Sequence, residues 1–300
     1  MLKPNFFIVG APKSGTTSLY SYLKKHPNVF LPRKEISYFC HDLTFLYPKM
    51  RESVYLSYFS GVRQQKKIGE ASALYMLSPG TAQEIKNFNP DAKIIMMLRN
   101  PVQMVYSLHS QQYYNGDEPI ESFEKALDAE KSRRVGDLIP DYHKCPLEAL
   151  YYSEVAKYYE QLMRYKAIFA ENKIHVILFD DFRFNPELEY RKVLKFLELE
   201  EVMPDEFEVV NANKTTKSRA FLQFLINPPN FLKTIAKVLF PHHTKRREWL
   251  IENLWNLNTR YKPRNPLTKE LKQRLIDIYK EDIEKLGKTL NRDLSDWLKI

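Results

Sequence analysis

Asn5-Phe-Phe-Ile-Val-Gly-Ala-Pro-Lys-Ser-Gly-Thr-Thr-Ser-Leu-Tyr-Ser-Tyr-Leu-Lys-Lys25 is an apolar run that breaks into a glycine-bounded loop and resumes as a helix. Phe6 to Val9 have the β-propensity of a short buried strand. The loop runs from Gly10 to Gly15. Leu19, Tyr22 and Leu23 then follow helical spacing, and Pro27 marks the end of that helix. Strand, loop and helix N-terminus in this order form a cradle for an anion. Backbone N–H groups converge there, the helix dipole favours negative charge, and Ser14, Thr16, Thr17 and Ser18 add hydroxyl donors.

The loop is equally informative for what it lacks. A nucleotide triphosphatase loop needs G-x-x-x-x-G-K-[ST], with Lys on the β/γ-phosphates and Ser/Thr on Mg²⁺. Gly10 and Gly15 keep the spacing, but Thr16 stands where that Lys belongs, and the nearest cation, Lys13, lies inside the loop. This chemistry fits a ligand of lower charge held without a bridging metal. The competing reading is a tight strand-to-helix turn with ordinary N-cap residues.

A second segment repeats the logic. Ile94 to Leu98 is a continuous apolar run, as in a buried parallel strand, and Arg99 follows at its C-terminal end, where open α/β sheets bind ligands. Pro101 suits the first turn of the next helix, on which Asn100, Gln103 and Ser107 share one face. Arg99 with Ser107 can clamp a phosphate monoester. Alone, the segment reads more readily as an Arg paired with a carboxylate and a Ser on a helix surface; the first loop reverses that order.

Pro12-Lys13-Ser14-Gly15-Thr16-Thr17-Ser18-Leu19 closely resembles the 5′-phosphosulfate loop of sulfotransferases that use 3′-phosphoadenosine 5′-phosphosulfate (PAPS). Lys93 to Pro101, with Ser107, resembles their 3′-phosphate motif. Weaker similarity continues through Asp180-Asp181-Phe182 and Arg292-Asp293-Leu294-Ser295, so the resemblance covers most of the chain. It implies a P-loop nucleotide-binding fold and a PAPS co-substrate that leaves as adenosine 3′,5′-bisphosphate (PAP), with no metal. It also implies a hydroxyl-bearing acceptor, carbohydrate or lipid-linked. On this likeness Lys13 neutralises the leaving oxygen, while Ser14, Gly15, Thr16, Thr17 and Ser18 hold the 5′-phosphate.

Lys34-Glu35-Ile36-Ser37-Tyr38-Phe39 resembles the Glu-Ile-x-x-Phe stretch that carries the catalytic Glu in heparan-type and related bacterial sulfotransferases, which makes Glu35 the expected base. Only Glu35 carries over, because the heparan enzymes lead on to a His where this chain has Ser37. The plain alternative is a surface carboxylate paired with Arg33 or Lys34. Glu70, after a short strand, is the second candidate base, or else a brace for Lys13 or Arg99. Lys217, Ser218 and Arg219 resemble the later basic loop over the 3′-phosphate, with Ser218 where the heparan type has Gly. A solvated charge run is the alternative there.

Composition bounds the remainder. The 300 residues are 44% hydrophobic and carry a formal net charge of +9, enough for one large core and a bias toward anionic partners. A single domain over 1–300 is expected, with a polar insertion near 116–146 and a helical region near 220–265. That region reads as ordinary core, as a lid over the acceptor, or as a surface helix meeting lipid headgroups. No run of 18 apolar residues occurs, the first strand begins close to Met1, and Cys40 and Cys145 build neither a disulfide framework nor a metal cluster. The expected setting is therefore cytoplasmic.

The alternation of elements predicts an α/β fold, a central parallel sheet flanked by helices with a helical C-terminal region. Helices are expected over 147–170, 186–197 and 268–286, and strands at Lys67–Glu70 and Ile174–Phe179. Two rival functions remain at this level. One is an ATP/Mg²⁺ kinase with Asp180 or Asp181 on the metal; the other is a non-catalytic anion- or nucleic-acid-binding module drawn by charge.

Overall fold

The computed structural model describes residues 3–46, 48–207, 214–229 and 252–300. Five parallel strands, β1 (Phe6–Gly10), β2 (Val29–Phe30), β3 (Lys67–Ala71), β4 (Lys93–Leu98) and β5 (Ile174–Leu178), form one sheet in the order β2-β3-β1-β4-β5. The chain builds one side of β1 first and then crosses to the other. The C-terminal ends of β3, β1 and β4 thus lie side by side, where such sheets place ligands.

Strand alternation explains the two covered faces. Phe6 and Ile8 join Ile95, Met97 and Ile177 on one face. They pack with Leu19, Tyr22 and Leu23 of helix α1 (Thr16–Lys25) and with Tyr190, Val193, Leu194 and Leu197 of the helix Pro186–Leu197. Phe7 points the other way and meets Phe39 edge-on, with ring centroids 5.6 Å apart. Phe39 in turn packs on Phe88 of the helix Thr81–Phe88. Each fully buried Leu here contributes roughly 1.5–3 kcal/mol of transfer free energy. The sheet is therefore a rigid platform for the loops at its edge.

The helices Thr16–Lys25, Pro101–Asn115 and Pro186–Leu197 lie where the patterning predicts. The last helix, Lys269–Leu290, is capped by Thr268 and buries Leu271, Leu275, Ile276, Tyr279, Ile283 and Leu286.

Two expectations fail. The predicted long helix of 147–170 is a 3₁₀ turn at Leu147–Leu150, a run of turns, and a helix only at Tyr158–Lys166. Leu147, Ala149, Leu150, Tyr152, Val155, Ala156 and Tyr158 are all buried, which no single helical face can provide. β5 ends at Leu178, and its Ile174, His175 and Val176 are half-exposed because it is the edge of the sheet.

By internal contacts the chain separates into two compact units, Met1–Leu108 with Cys145–Val210 and Leu267–Ile300, and His109–Lys144 with Asn211–Pro266. The second unit holds the segment expected to be an irregular insertion. It contains helices Phe123–Asp128 and Glu130–Arg134 around a fully buried Arg133–Glu118 pair, joined through two N–H···O bonds of 2.9 and 2.7 Å. Such a paired buried charge holds one local packing and is costly to break from either side. Within this unit β6 (Lys214–Thr216) pairs antiparallel with β7 (Thr259–Tyr261), and a helix follows at Arg219–Ile226. Of the expected 220–265 region, Ile235, Val238, Leu239, His242, His243, Lys245, Arg246, Arg247 and Trp249 lie outside the described residues.

Candidate active site

The loop between β1 and α1 is built for close approach. Gly10 has φ 151°, and a Cβ there would sit 2.7 Å from the Ala73 carbonyl oxygen. Gly15 is the N-cap of α1 at φ 90°, a conformation that strains any side chain. Having no side chain, Gly15 cannot cap the first turn of α1; the Ser18 N–H donates to the Gly15 carbonyl at 3.0 Å, while the Thr16 and Thr17 N–H groups and the positive end of the helix dipole stay available to an anion. Lys13 takes a left-handed φ of 58° inside the loop. The Ala11 N–H donates to the Met97 carbonyl at 2.7 Å, tying the loop to β4.

Of the hydroxyl residues expected to hold a phosphate, Ser14, Thr16 and Ser18 are largely buried and Thr17 is half-buried. The Ser14 hydroxyl donates to the Pro12 carbonyl at 3.2 Å. Facing it is a group that the spacing of motifs did not disclose. Tyr158 is fully buried, and its hydroxyl lies by Ser14 and the Arg99 backbone without a well-formed hydrogen bond to any group. An orphaned buried hydroxyl beside an anion cradle is a donor awaiting an acceptor. It escaped sequence reading because nothing in its neighbourhood distinguishes it from the core tyrosines around it.

Arg99 sits at the end of β4 and closes on the first loop. It donates to the Lys13 carbonyl at 3.1 Å and to Gln103 Oε1 at 3.4 and 3.2 Å, and its guanidinium lies 4.7 Å from the Phe179 ring centroid. The two sequence motifs thus meet directly. Ser107, two turns further along the following helix, is buried.

On the opposite side of β1, the segment carrying Glu35 hangs from β3. Its backbone N–H donates to the Ala71 carbonyl at 2.8 Å, and Glu35 Oε2 accepts from the Ala73 N–H at 3.0 Å. Glu35 and Ser37 both hold left-handed φ angles, 57° and 56°, a strain of about 1–2 kcal/mol per non-glycine residue. The Ser37 N–H, bonded to Ser72 Oγ at 3.0 Å, keeps that conformation in place. Strain maintained by many contacts is characteristic of functional positions. The Glu35 side chain keeps 46% of its surface accessible, with Lys34 Nζ 3.7 Å from Oε1. Desolvation raises its pKa from the ordinary glutamate value, against the opposing pull of Lys34 and the Ala73 N–H. A carboxylate shifted in this direction is a stronger base than a free one.

Glu70 is differently placed. It is fully buried, with Oε1 accepting from Ser72 Oγ at 2.9 Å and from the Tyr75 hydroxyl, and Oε2 accepting from the Tyr55 hydroxyl at 2.5 Å. Both oxygens are occupied and neither meets solvent. The Tyr75 hydroxyl also accepts from the Tyr38 and Phe39 N–H groups, at 2.9 and 3.2 Å, so this cluster anchors the Glu35 segment from below.

Desolvation outweighs the three hydroxyl donors and pushes Glu70 up to about 7. An acid raised on folding binds more protons folded than unfolded, so stability is full below the unfolded value and declines as pH rises through about 7. We expect the melting temperature to fall between pH 5 and pH 8, and Glu70→Gln to flatten that decline, as read from thermal melts across the range. Parallel curves for the two proteins would remove Glu70 as the cause.

In the second unit, Ser218 has φ −134° and ψ 119° and caps the next helix by accepting from the Phe221 N–H. That extended backbone needs no glycine, which resolves the substitution noted in the sequence. Lys217 donates to the Leu257 carbonyl at 2.7 Å. Arg219 donates to the carbonyls of Tyr113 and Glu118 and lies 4.3 Å from the centre of the Tyr113 ring. The carboxylates on which the kinase reading relied are committed elsewhere. Asp181 accepts both guanidinium arms of Arg292, at 2.7 and 3.0 Å, and Asp180 accepts from Trp297 Nε1 at 3.3 Å. They pin the C-terminal segment to the helix Phe179–Phe184 that follows β5.

Known proteins resemble this chain in sequence and fold. A sulfotransferase from Alicyclobacillus acidocaldarius, solved by crystallography, superposes with a TM-score of 0.73 at 28% identity, covering 100% of both chains. The membrane-associated sulfotransferase kil1 of Dictyostelium discoideum is 36% identical over 137 residues, 42% of this chain and 28% of the relative. The bifunctional heparan sulfate N-deacetylase/N-sulfotransferase 1 of Caenorhabditis briggsae is 26% identical over 309 residues, 98% of this chain and 31% of the relative. The chain thus spans less than half the length of either curated relative. A family model described as the Sulfotransferase domain matches residues 3–289. With loop, sheet order and sequence match in agreement, the chain belongs to the sulfotransferase domain family.

Proposed function

We propose that this protein transfers the sulfuryl group of PAPS to a hydroxyl or amine of an acceptor and releases PAP. The observation that carries this reading is the meeting of three segments at the ends of β3, β1 and β4. They are the glycine-capped loop with Lys13, Arg99 bonded to the Lys13 carbonyl, and Glu35 held by Ala71 and Ala73. The orphaned Tyr158 hydroxyl beside Ser14 fits an anionic ligand in that loop.

The N–H groups of the first turn of α1, with Ser14, Gly15, Thr16, Thr17 and Ser18, receive the 5′-phosphate. Arg99 and Ser107 receive the 3′-phosphate. Glu35 accepts the acceptor's proton as its oxygen or nitrogen bonds to sulfur. The bond from sulfur to the bridging oxygen breaks in line, and Lys13 neutralises the charge on that leaving oxygen. Glu70 braces the floor instead of reacting, since its oxygens are enclosed.

A carbohydrate acceptor is favoured by the relative whose name specifies heparan sulfate. Both compact units serve one catalytic domain in this reading. Among the described residues, no helix is long and apolar enough to cross a membrane. Cytoplasmic placement is proposed, although a relative is named as membrane-associated.

Saturating PAP without added metal is expected to raise the melting temperature by about 5 °C, as binding at a hundred times Kd stabilises by about 2.7 kcal/mol. A shift with Mg-ATP and none with PAP would overturn the assignment in favour of a kinase.

A further inference from the structure

Lys34 occupies an unusual position for a lysine next to a candidate base. Its ammonium donates to Thr17 Oγ1 at 2.8 Å and to Thr16 Oγ1 at 3.3 Å, and lies 3.7 Å from Glu35 Oε1. The side chain is only 17% exposed, and its ammonium lies 5.9 Å from the centre of the Tyr20 ring. Its two nearest acceptors are therefore neutral hydroxyls at the start of α1, in the turn expected to receive phosphate, while its countercharge is more distant.

Lysine donates three N–H groups and accepts none. An ammonium bonded to a threonine oxygen occupies one of its lone pairs, so the hydroxyl proton points away from Lys34 and is left to donate elsewhere. Both hydroxyls belong to the first turn of α1, which opens directly after the anion loop. Without Lys34 each could rotate and accept from a neighbouring N–H instead, losing its orientation.

We propose that Lys34 is a positioning residue that orients the Thr16 and Thr17 hydroxyls toward a bound 5′-phosphate and joins the donor loop to Glu35 on the neighbouring segment. This rests on the sulfotransferase reading above. It adds a role that neither motif discloses, since residues 16–17 and residue 34 belong to separate stretches of sequence. Burial lowers the pKa of Lys34, with Glu35 opposing the change. An anion arriving in the loop adds a second countercharge to the one that Glu35 supplies at 3.7 Å.

The test is calorimetric titration with PAP, which needs no acceptor, on the wild type, Lys34→Met, Lys34→Arg, Thr17→Val and the double variant Lys34→Met/Thr17→Val. Lys34→Met is expected to weaken PAP binding roughly tenfold, with Thr17→Val costing a similar factor. Because Lys34 acts through the hydroxyl, the double variant is expected to lose little more than the worse single variant. Lys34→Arg is expected to recover much of the loss by keeping a charged donor.

Wild-type affinity in Lys34→Met, multiplying losses in the double variant, or an arginine variant as weak as the methionine one would overturn the proposal while leaving the enzyme assignment intact. Absence of PAP binding by the wild type would instead defeat that assignment and the inference with it. Thermal melts of each variant separate these results from misfolding, because a purely structural lysine shifts melting without coupling to Thr17.

Discussion

Lys13→Ala is expected to reduce sulfuryl transfer by about 10³-fold, the scale for removing a preorganised charge at a leaving oxygen. Lys13 is the cation carried by the anion loop itself, and its backbone is held at φ 58° with its carbonyl bonded to Arg99. The loss should fall on the chemical step, because the helix N-terminus and the hydroxyls remain to bind the nucleotide. Transfer from sulfur-35-labelled PAPS to an acceptor recovered from a labelled metabolite extract measures the rate, and PAP titration measures binding. A rate within tenfold of wild type would show that the leaving group is neutralised elsewhere.

Glu35→Gln is expected to slow transfer by roughly 10²–10⁴-fold while PAP affinity changes by less than about threefold. Glutamine keeps the acceptor oxygen for the Ala73 N–H, so the strained backbone should persist, but it cannot take the acceptor's proton. In the wild type, the rate should fall on acidification, with a midpoint higher than that of a free glutamate, because desolvation raises this carboxyl. Equal losses in transfer and in PAP binding would make Glu35 a structural carboxylate, and an unshifted midpoint would contradict its environment.

The two motifs were legible in the sequence because each is a local sequence of strand, loop and helix. Phe6–Gly10 and Lys93–Leu98 are short apolar runs flanked by glycine or arginine, and β-propensity with turn chemistry places both correctly. The helix Pro186–Leu197 was equally readable, and the structure caps it with Asn185, which accepts from the Leu188 N–H, and places Pro186 at its first position. Segments buried on several sides at once were not readable. The stretch from Leu147 to Ala156 has no polar face, so its periodicity resembled a helix that tertiary contacts did not sustain. The Arg133–Glu118 pair hid in a segment whose charges looked like solvated surface, since charge alone does not reveal a partner fifteen residues away.

Local chemistry by itself determined the anion loop, the strand carrying Arg99 and the parallel α/β class, because backbone conformation and side-chain alternation are set over a few residues, whereas Glu35 stood out only through a family resemblance. Tertiary structure alone decided that β1 lies between β3 and β4, which brings Arg99 to Lys13 and hangs Glu35 beside the same loop. It also decided that Glu70 is enclosed by three hydroxyls, that Lys34 reaches back to Thr16 and Thr17, and that Tyr158 stands unpartnered next to Ser14. Those relations depend on strand order and burial, which are properties of the assembled sheet and leave no periodic trace along the chain.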